Sequence, residues 1–191
     1  MKKIIFLLFL LKSLLALSIN DIKGNYICKT QYENKSLTGK TITKIKRNIQ
    51  IKNNKFYMKE HISIDICPKS FIIIGPYKCY PQYRGTIITE GKYKFKNNRL
   101  ISNALERKTI IKDDLDFKRK YEHKQYYDRC SQSGLEKMCY KSKNIFEKQW
   151  NKKAKQIRGY KKEDIILIYK DTPLFFKDKL WNLDFECDEK L

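Results

Sequence analysis

From Ile22 to about Leu105 the chain alternates apolar and polar positions with period two. Ile42, Ile45, Ile49 and Ile51 recur among basic residues, and Ile62, Ile64 and Ile66 then fall on one face of the next segment. Such alternation predicts half-buried antiparallel strands. Between the two runs lies Lys52-Asn53-Asn54-Lys55. Asn tolerates the left-handed backbone that a two-residue hairpin turn requires, so this stretch predicts a tight reversal. The device recurs: Tyr93-Lys94-Phe95 leads into Lys96-Asn97-Asn98-Arg99, and Leu100-Ile101 follows. Phe71–Ile74 and Thr86–Thr89 predict two more strands around a bend from Gly75 to Gly85. After Tyr160 the strand pattern returns in Ile165–Tyr169, in Leu174-Phe175-Phe176 beyond an Asp171-Thr172-Pro173 turn, and in Trp181, Leu183 and Phe185.

The middle of the chain reads differently. Asp113–Asp128 is charged and reads as helical, with a ragged apolar face from Leu115, Phe117 and Tyr121. Ser133-Gly134-Leu135-Glu136 has capping-box spacing. Ile145–Arg158 predicts the clearest helix: Asn144 at its cap, Glu147 at its third position and Gly159 as its stop. Phe146, Trp150 and Ile157 line one face at helical spacing. The expected fold is mostly β: one antiparallel meander, barrel or sandwich, with a basic helical insertion at about 113–160.

Lys2 and Lys3 precede the apolar run Ile4–Leu11, and Ala16-Leu17-Ser18 supplies small residues after it. This is the order of a secretory signal, so residues 1–18 are expected to be a signal peptide and 19–191 a single secreted domain. The run is too short to span a bilayer. Secretion changes how the six cysteines read. Cys28, Cys67, Cys79, Cys130, Cys139 and Cys187 are then expected to be disulfide-bonded. Sequence alone does not choose the connectivity; pairing neighbours gives Cys67–Cys79 and Cys130–Cys139 and leaves Cys28–Cys187. Asn34-Lys35-Ser36 is a glycosylation sequon in a polar stretch that reads as a surface loop. No CxxC occurs and both histidines lie far from any cysteine pair, so neither a metal nor a cofactor is expected.

Several features resemble the lipocalin-like (calycin) barrels. Gly24-Asn25-Tyr26 is similar to their Gly-x-Trp opening, with Tyr26 in place of Trp. Gly91–Phe95 followed by Asn97–Ile101 resembles a strand–turn–strand of such barrels, and Ile166–Phe176 their closing hairpin. The family's second motif is missing, and no Arg follows the last hairpin. The resemblance covers about half of the expected mature chain and implies a small apolar ligand in a barrel mouth.

Charge points elsewhere. The chain holds 42 Lys and Arg against 21 Asp and Glu, a formal net charge of +21, which the signal's departure barely reduces. Such an excess favours anionic glycans, nucleic acid or an anionic membrane surface as partners. A compositional origin competes with this, because Lys, Ile and Asn abound together and Lys far outnumbers Arg. The densest local signal is Lys141, Lys143, Lys148, Lys152, Lys153, Lys155, Arg158, Lys161 and Lys162, against Glu147 alone. With Phe146, Trp150 and Tyr160 interleaved, this stretch reads as a polyanion-binding surface or as the solvated face of a packed helix.

Catalytic signatures are sparse. His61 and His123, with Lys120 as a cation for phosphate, are the candidates for a secreted ribonuclease or toxin. Glu60 cannot join His61, since adjacent strand residues point to opposite faces. A structural component of an extracellular coat is the third class. The expected function is binding rather than catalysis: polyanions through 141–162, or a small apolar ligand in the barrel.

Overall fold

The computed structural model describes residues 22–69, 79–97, 99–130, 136–170, 174–178 and 183–190; for 125–130, 136–142, 168–170, 174–178, 184, 189 and 190 only the backbone is considered. Ten strands form one antiparallel sheet: β1 (Gly24–Ser36), β2 (Gly39–Lys52), β3 (Lys55–Pro68), β4 (Tyr80–Lys92), β5 (Lys94–Lys96), β6 (Arg99–Ser102), β7 (Arg107–Asp113), β8 (Ile165–Lys170), β9 (Leu174–Asp178) and β10 (Leu183–Lys190). Helices α1 (Leu115–Cys130) and α2 (Glu136–Gly159) stand between β7 and β8. This is the expected mostly-β meander with a helical insertion.

The hydrogen-bonded order is β5-β6-β8-β9-β10-β1-β2-β3-β4-β7. Strands β4 and β5 are separated by Tyr93 alone, so the chain itself links one end of this order to the strand next to the other end. The ladder does not close: among the described residues no pairing joins β5 to β7.

The hairpins form as the Asn pairs predict. Lys52 pairs with Lys55 across a two-residue turn in which Asn53 and Asn54 have φ of 47° and 58°. Lys96 pairs with Arg99, and Asn97 has φ of 52°. Period-two burial holds through β2, where Ile45, Ile49 and Ile51 turn inward. In β3 it slips once. Past Ile64 the burial phase of β3 changes, so Cys67 is buried where Ile66 was expected. At the same place the β3–β4 register shifts: Gln82 is an extra residue of β4, and it and Tyr83 are both buried.

Other expectations shift. Of the bend expected at 75–85, Tyr80–Gly85 belongs to β4, and 75–78 lie outside the described residues. The strand expected at Phe71–Ile74, the turn at 171–173 and Trp181 lie outside the described residues. Helix α2 begins at Glu136, eight residues before Asn144, which is therefore exposed in the helix interior rather than its cap. Gly159 does not act as a left-handed stop: it keeps helical angles (φ −58°, ψ −30°) and runs into a short 3-10 turn at Tyr160–Lys162. At α1, by contrast, Asp114 Oδ1 accepts the Phe117 N–H at 2.9 Å, an N-cap that covers an otherwise open donor.

Two disulfides staple the sheet. Cys28 and Cys187 face each other directly in the β1–β10 ladder, and their bond closes a separation of 159 residues. Cys67–Cys79 ties the end of β3 to the start of β4 over 12 residues. Pairing neighbours gives Cys67–Cys79 and leaves Cys28–Cys187, as observed; Cys130–Cys139 lies outside the described side chains. The two bonds point to an oxidising environment. Among the described residues no helix is long and apolar enough to cross a membrane.

The interior is filled by large side chains. Trp150, Arg47, Tyr26, Tyr83 and Phe185 are among the largest that are fully buried. An aromatic seam joins both helices to β4: Trp150 lies 5.1 Å from Tyr83 and 5.8 Å from Phe146, and Phe146 lies 4.9 Å from Tyr121. The Tyr83 hydroxyl donates to Asp113 Oδ1 at 2.8 Å, and Arg158 pairs with the other oxygen of Asp113. Burial first, then the bond to Asp113 and its charge, push the Tyr83 phenol well above its ordinary range. The ring lies over Gly85, where an added Cβ would meet the Tyr83 hydroxyl at 2.3 Å. Glycine is what lets the ring lie flat there.

Candidate polyanion-binding surface

Helix α2 separates its residues sharply. Phe146, Trp150, Ala154 and Ile157 are buried and form its inner stripe. Lys148, Lys152 and Lys155 repeat the i, i+4, i+7 spacing of Trp150, Ala154 and Ile157 two residues earlier, which places them on the opposite, exposed face. Lys143 on the helix and Lys161 and Lys162 just past its end are also exposed. None of these six lysines has an ion pair among the described residues. Glu147, the one acid of the stretch, is within 3.5 Å of Lys118 on α1. The stripe is thus cationic without local compensation.

Two members of the predicted cluster differ. Arg158 pairs with Asp113 and braces the helix against β7. Lys153 is half-buried; burial, then the charge of Lys152, push its ammonium below the ordinary lysine value. The side chain of Lys141 lies outside the described residues. Asn34 is exposed, but it sits within β1 near the hairpin tip rather than in a loop.

The histidines separate. His61 is on the solvent face of β3, where its Nδ1 shares a hydrogen bond of 3.1 Å with Thr86 Oγ1. Burial, then Lys59 and Lys46, lower its pKa from the ordinary 6.5. His123 and Lys120 are exposed on α1. A solvent-face groove lined by His61 includes neither of them. Glu60 faces inward, fully buried, as strand alternation requires.

That groove encloses about 810 Å³ across β1–β4, with Lys29, Lys44, Lys46, His61, Ser63, Arg84 and Thr86 among its lining. Sequence reading missed it, because its cations come from three strands and meet only through the ladders. The available signal was the alternate set of each strand: Lys44 and Lys46 fall out of phase with Ile45 and Ile49. Sequence reading also missed Arg47. It is in phase with Ile45 and Ile49, is fully buried, and donates from Nε to Glu60 Oε1 at 2.7 Å. Its guanidinium lies 3.8 Å from the Phe185 ring centroid.

Among the described residues no group of three or more His, Cys, Asp or Glu is arranged to hold a metal ion. Comparison with protein-family models, with curated proteins and with solved structures finds no match to this chain.

Proposed function

We propose that this is a secreted, disulfide-stapled polyanion-binding protein whose contact surface is the lysine stripe of α2. The observation that carries the reading is the two-faced helix. Its aromatic stripe is committed to the core, while Lys148, Lys152 and Lys155 stand exposed and without acidic partners among the described residues. Three cations on one helical face over about 10 Å present a linear charge array to an anionic chain. The overall charge of +21 adds long-range attraction. The lipocalin-like reading draws less support. Trp150, Arg47, Tyr26, Tyr83 and Phe185 occupy the described interior where an apolar ligand would have to sit.

Chromatography on immobilised heparin tests the stripe. The Lys148→Ser/Lys152→Ser/Lys155→Ser variant is expected to elute at clearly lower salt than the unmodified chain. Arg158 and Lys153 are left in place because Arg158 pairs with Asp113 and Lys153 is half-buried. Elution of both proteins at the same salt concentration would remove α2 as the binding surface.

A further inference from the structure

Antiparallel strands place like charges side by side on the solvent face of the sheet. Lys29 on β1 is directly opposite Lys46 on β2, and Lys46 is directly opposite His61 on β3. Lys44, two residues along β2, is opposite Gln31 and Ser63. Directly opposed residues hold their Cβ atoms about 4.5–5.5 Å apart, and like charges at that spacing repel. Lys29, Lys44 and Lys46 have no ion pair among the described residues. Two acids also line the groove: Glu186, opposite Lys29 on β10, and Asp114, the cap of α1. Arg84 is already neutralised by Asp65 at 2.6 Å. A second groove at the far end of the sheet is different, because there Lys108 is within 3.6 Å of Glu90.

We propose that the β1–β4 groove is a second anion site, separate from α2, which seats the sulfate esters of an extracellular sulfated saccharide between Lys29, Lys44, Lys46 and His61. The lining selects the class of ligand. It contains no Phe, Tyr or Trp, so beyond the small His61 imidazole nucleobases would find no stacking platform. Its apolar members, Ile45 and Ile62, are each only 2% exposed, so it offers nothing for insertion into a bilayer. Gln31, Ser63 and Thr86 supply neutral hydrogen-bonding groups suited to sugar hydroxyls.

His61 reports the occupancy. Lys59 on its own strand, Lys46 across the ladder and Lys112, opposite Thr86 on β7, surround it with positive charge. Asp114 and Glu186 are the acids of the groove's lining. A seated sulfate opposes those lysines and favours the imidazolium. The His61 titration midpoint therefore rises on binding, and by linkage affinity increases as pH falls through it.

The test titrates a heparin-derived hexasaccharide into the isotopically labelled full chain and follows the amides and the His61 ring by NMR. Expected are amide shifts at Lys29–Gln31, Lys44–Lys46, His61–Ser63 and Gly85–Thr86, with an upward move of the His61 midpoint. In Lys29→Ser/Lys46→Ser these responses vanish, and the slope of log affinity against log salt drops by about 1.4–1.8. Both lysines are exposed and repel each other, so the variant's melting temperature is expected to be unchanged or higher. The α2 serine variant keeps the groove response. Shifts confined to α2 would overturn this site while leaving the α2 reading intact. Loss only in the groove variant would do the reverse. An equal response to a single-stranded oligonucleotide of the same charge would overturn the assignment to sulfated saccharides.

Discussion

Replacing Glu60 by Leu is expected to cost about 3–5 kcal/mol of folding stability, the range for breaking a buried ion pair from one side. Both partners have side chains with 0% exposure, so the substitution leaves the Arg47 guanidinium in the core without its carboxylate. The cost comes from holding the buried cation without this carboxylate more than from the lost attraction. A second variant separates the two. Arg47→Met/Glu60→Leu fills the same space with apolar groups and is expected to recover most of the loss, since buried pairs are commonly matched by well-packed apolar substitutes. The Phe185 ring under Arg47 limits the recovery, because its contact with the cation disappears. Urea unfolding of the three proteins measures both differences. A single variant within about 1 kcal/mol of the parent would mean that Arg47 reaches water.

The second large effect concerns the disulfides. Removing Cys28–Cys187 by paired substitution to Ala is expected to cost about 5 kcal/mol, against about 3 kcal/mol for Cys67–Cys79. The difference follows from loop closure: one bond spans 159 residues and the other 12. The long bond also sits between directly opposed residues of the β1–β10 ladder, which joins the first strand to the last. Denaturant midpoints of the two paired variants give the comparison. A larger loss from the short loop would show that local strain or packing outweighs chain entropy.

These two features differ in how far the sequence shows them. An even number of cysteines behind a secretory signal pointed to disulfides without choosing their connectivity, and Cys28–Cys187 is the pair left once neighbours are matched. The Asn53-Asn54 turn was legible because few residues accept positive φ, and both Asn residues adopt it. The inner stripe of α2 was legible because Phe146, Trp150 and Ile157 repeat at helical spacing, and all three are buried. Arg47 and Glu60 were not, because apolar counting assigns every charged residue to solvent, whereas strand phase alone puts both inside. The start of α2 was also misplaced. Asn144 has the chemistry of a cap, yet a helix continues through such a residue when its neighbours favour helix. The solvent-face groove lies further from view. Lys29, Lys46 and His61 are far apart in sequence and become neighbours only through the β1–β2 and β2–β3 registers.

Polyanion binding by exposed, uncompensated lysines makes one demand that other modes of recognition do not share. The most direct measurement is the affinity of the full chain for a heparin-derived oligosaccharide at salt concentrations from about 50 to 200 mM. The predicted result is a linear fall of log affinity with log salt, with about 0.7–0.9 of slope for each cation engaged, and a shallower line for the α2 serine variant. An affinity independent of salt, or no binding at the low-salt end, would contradict the account.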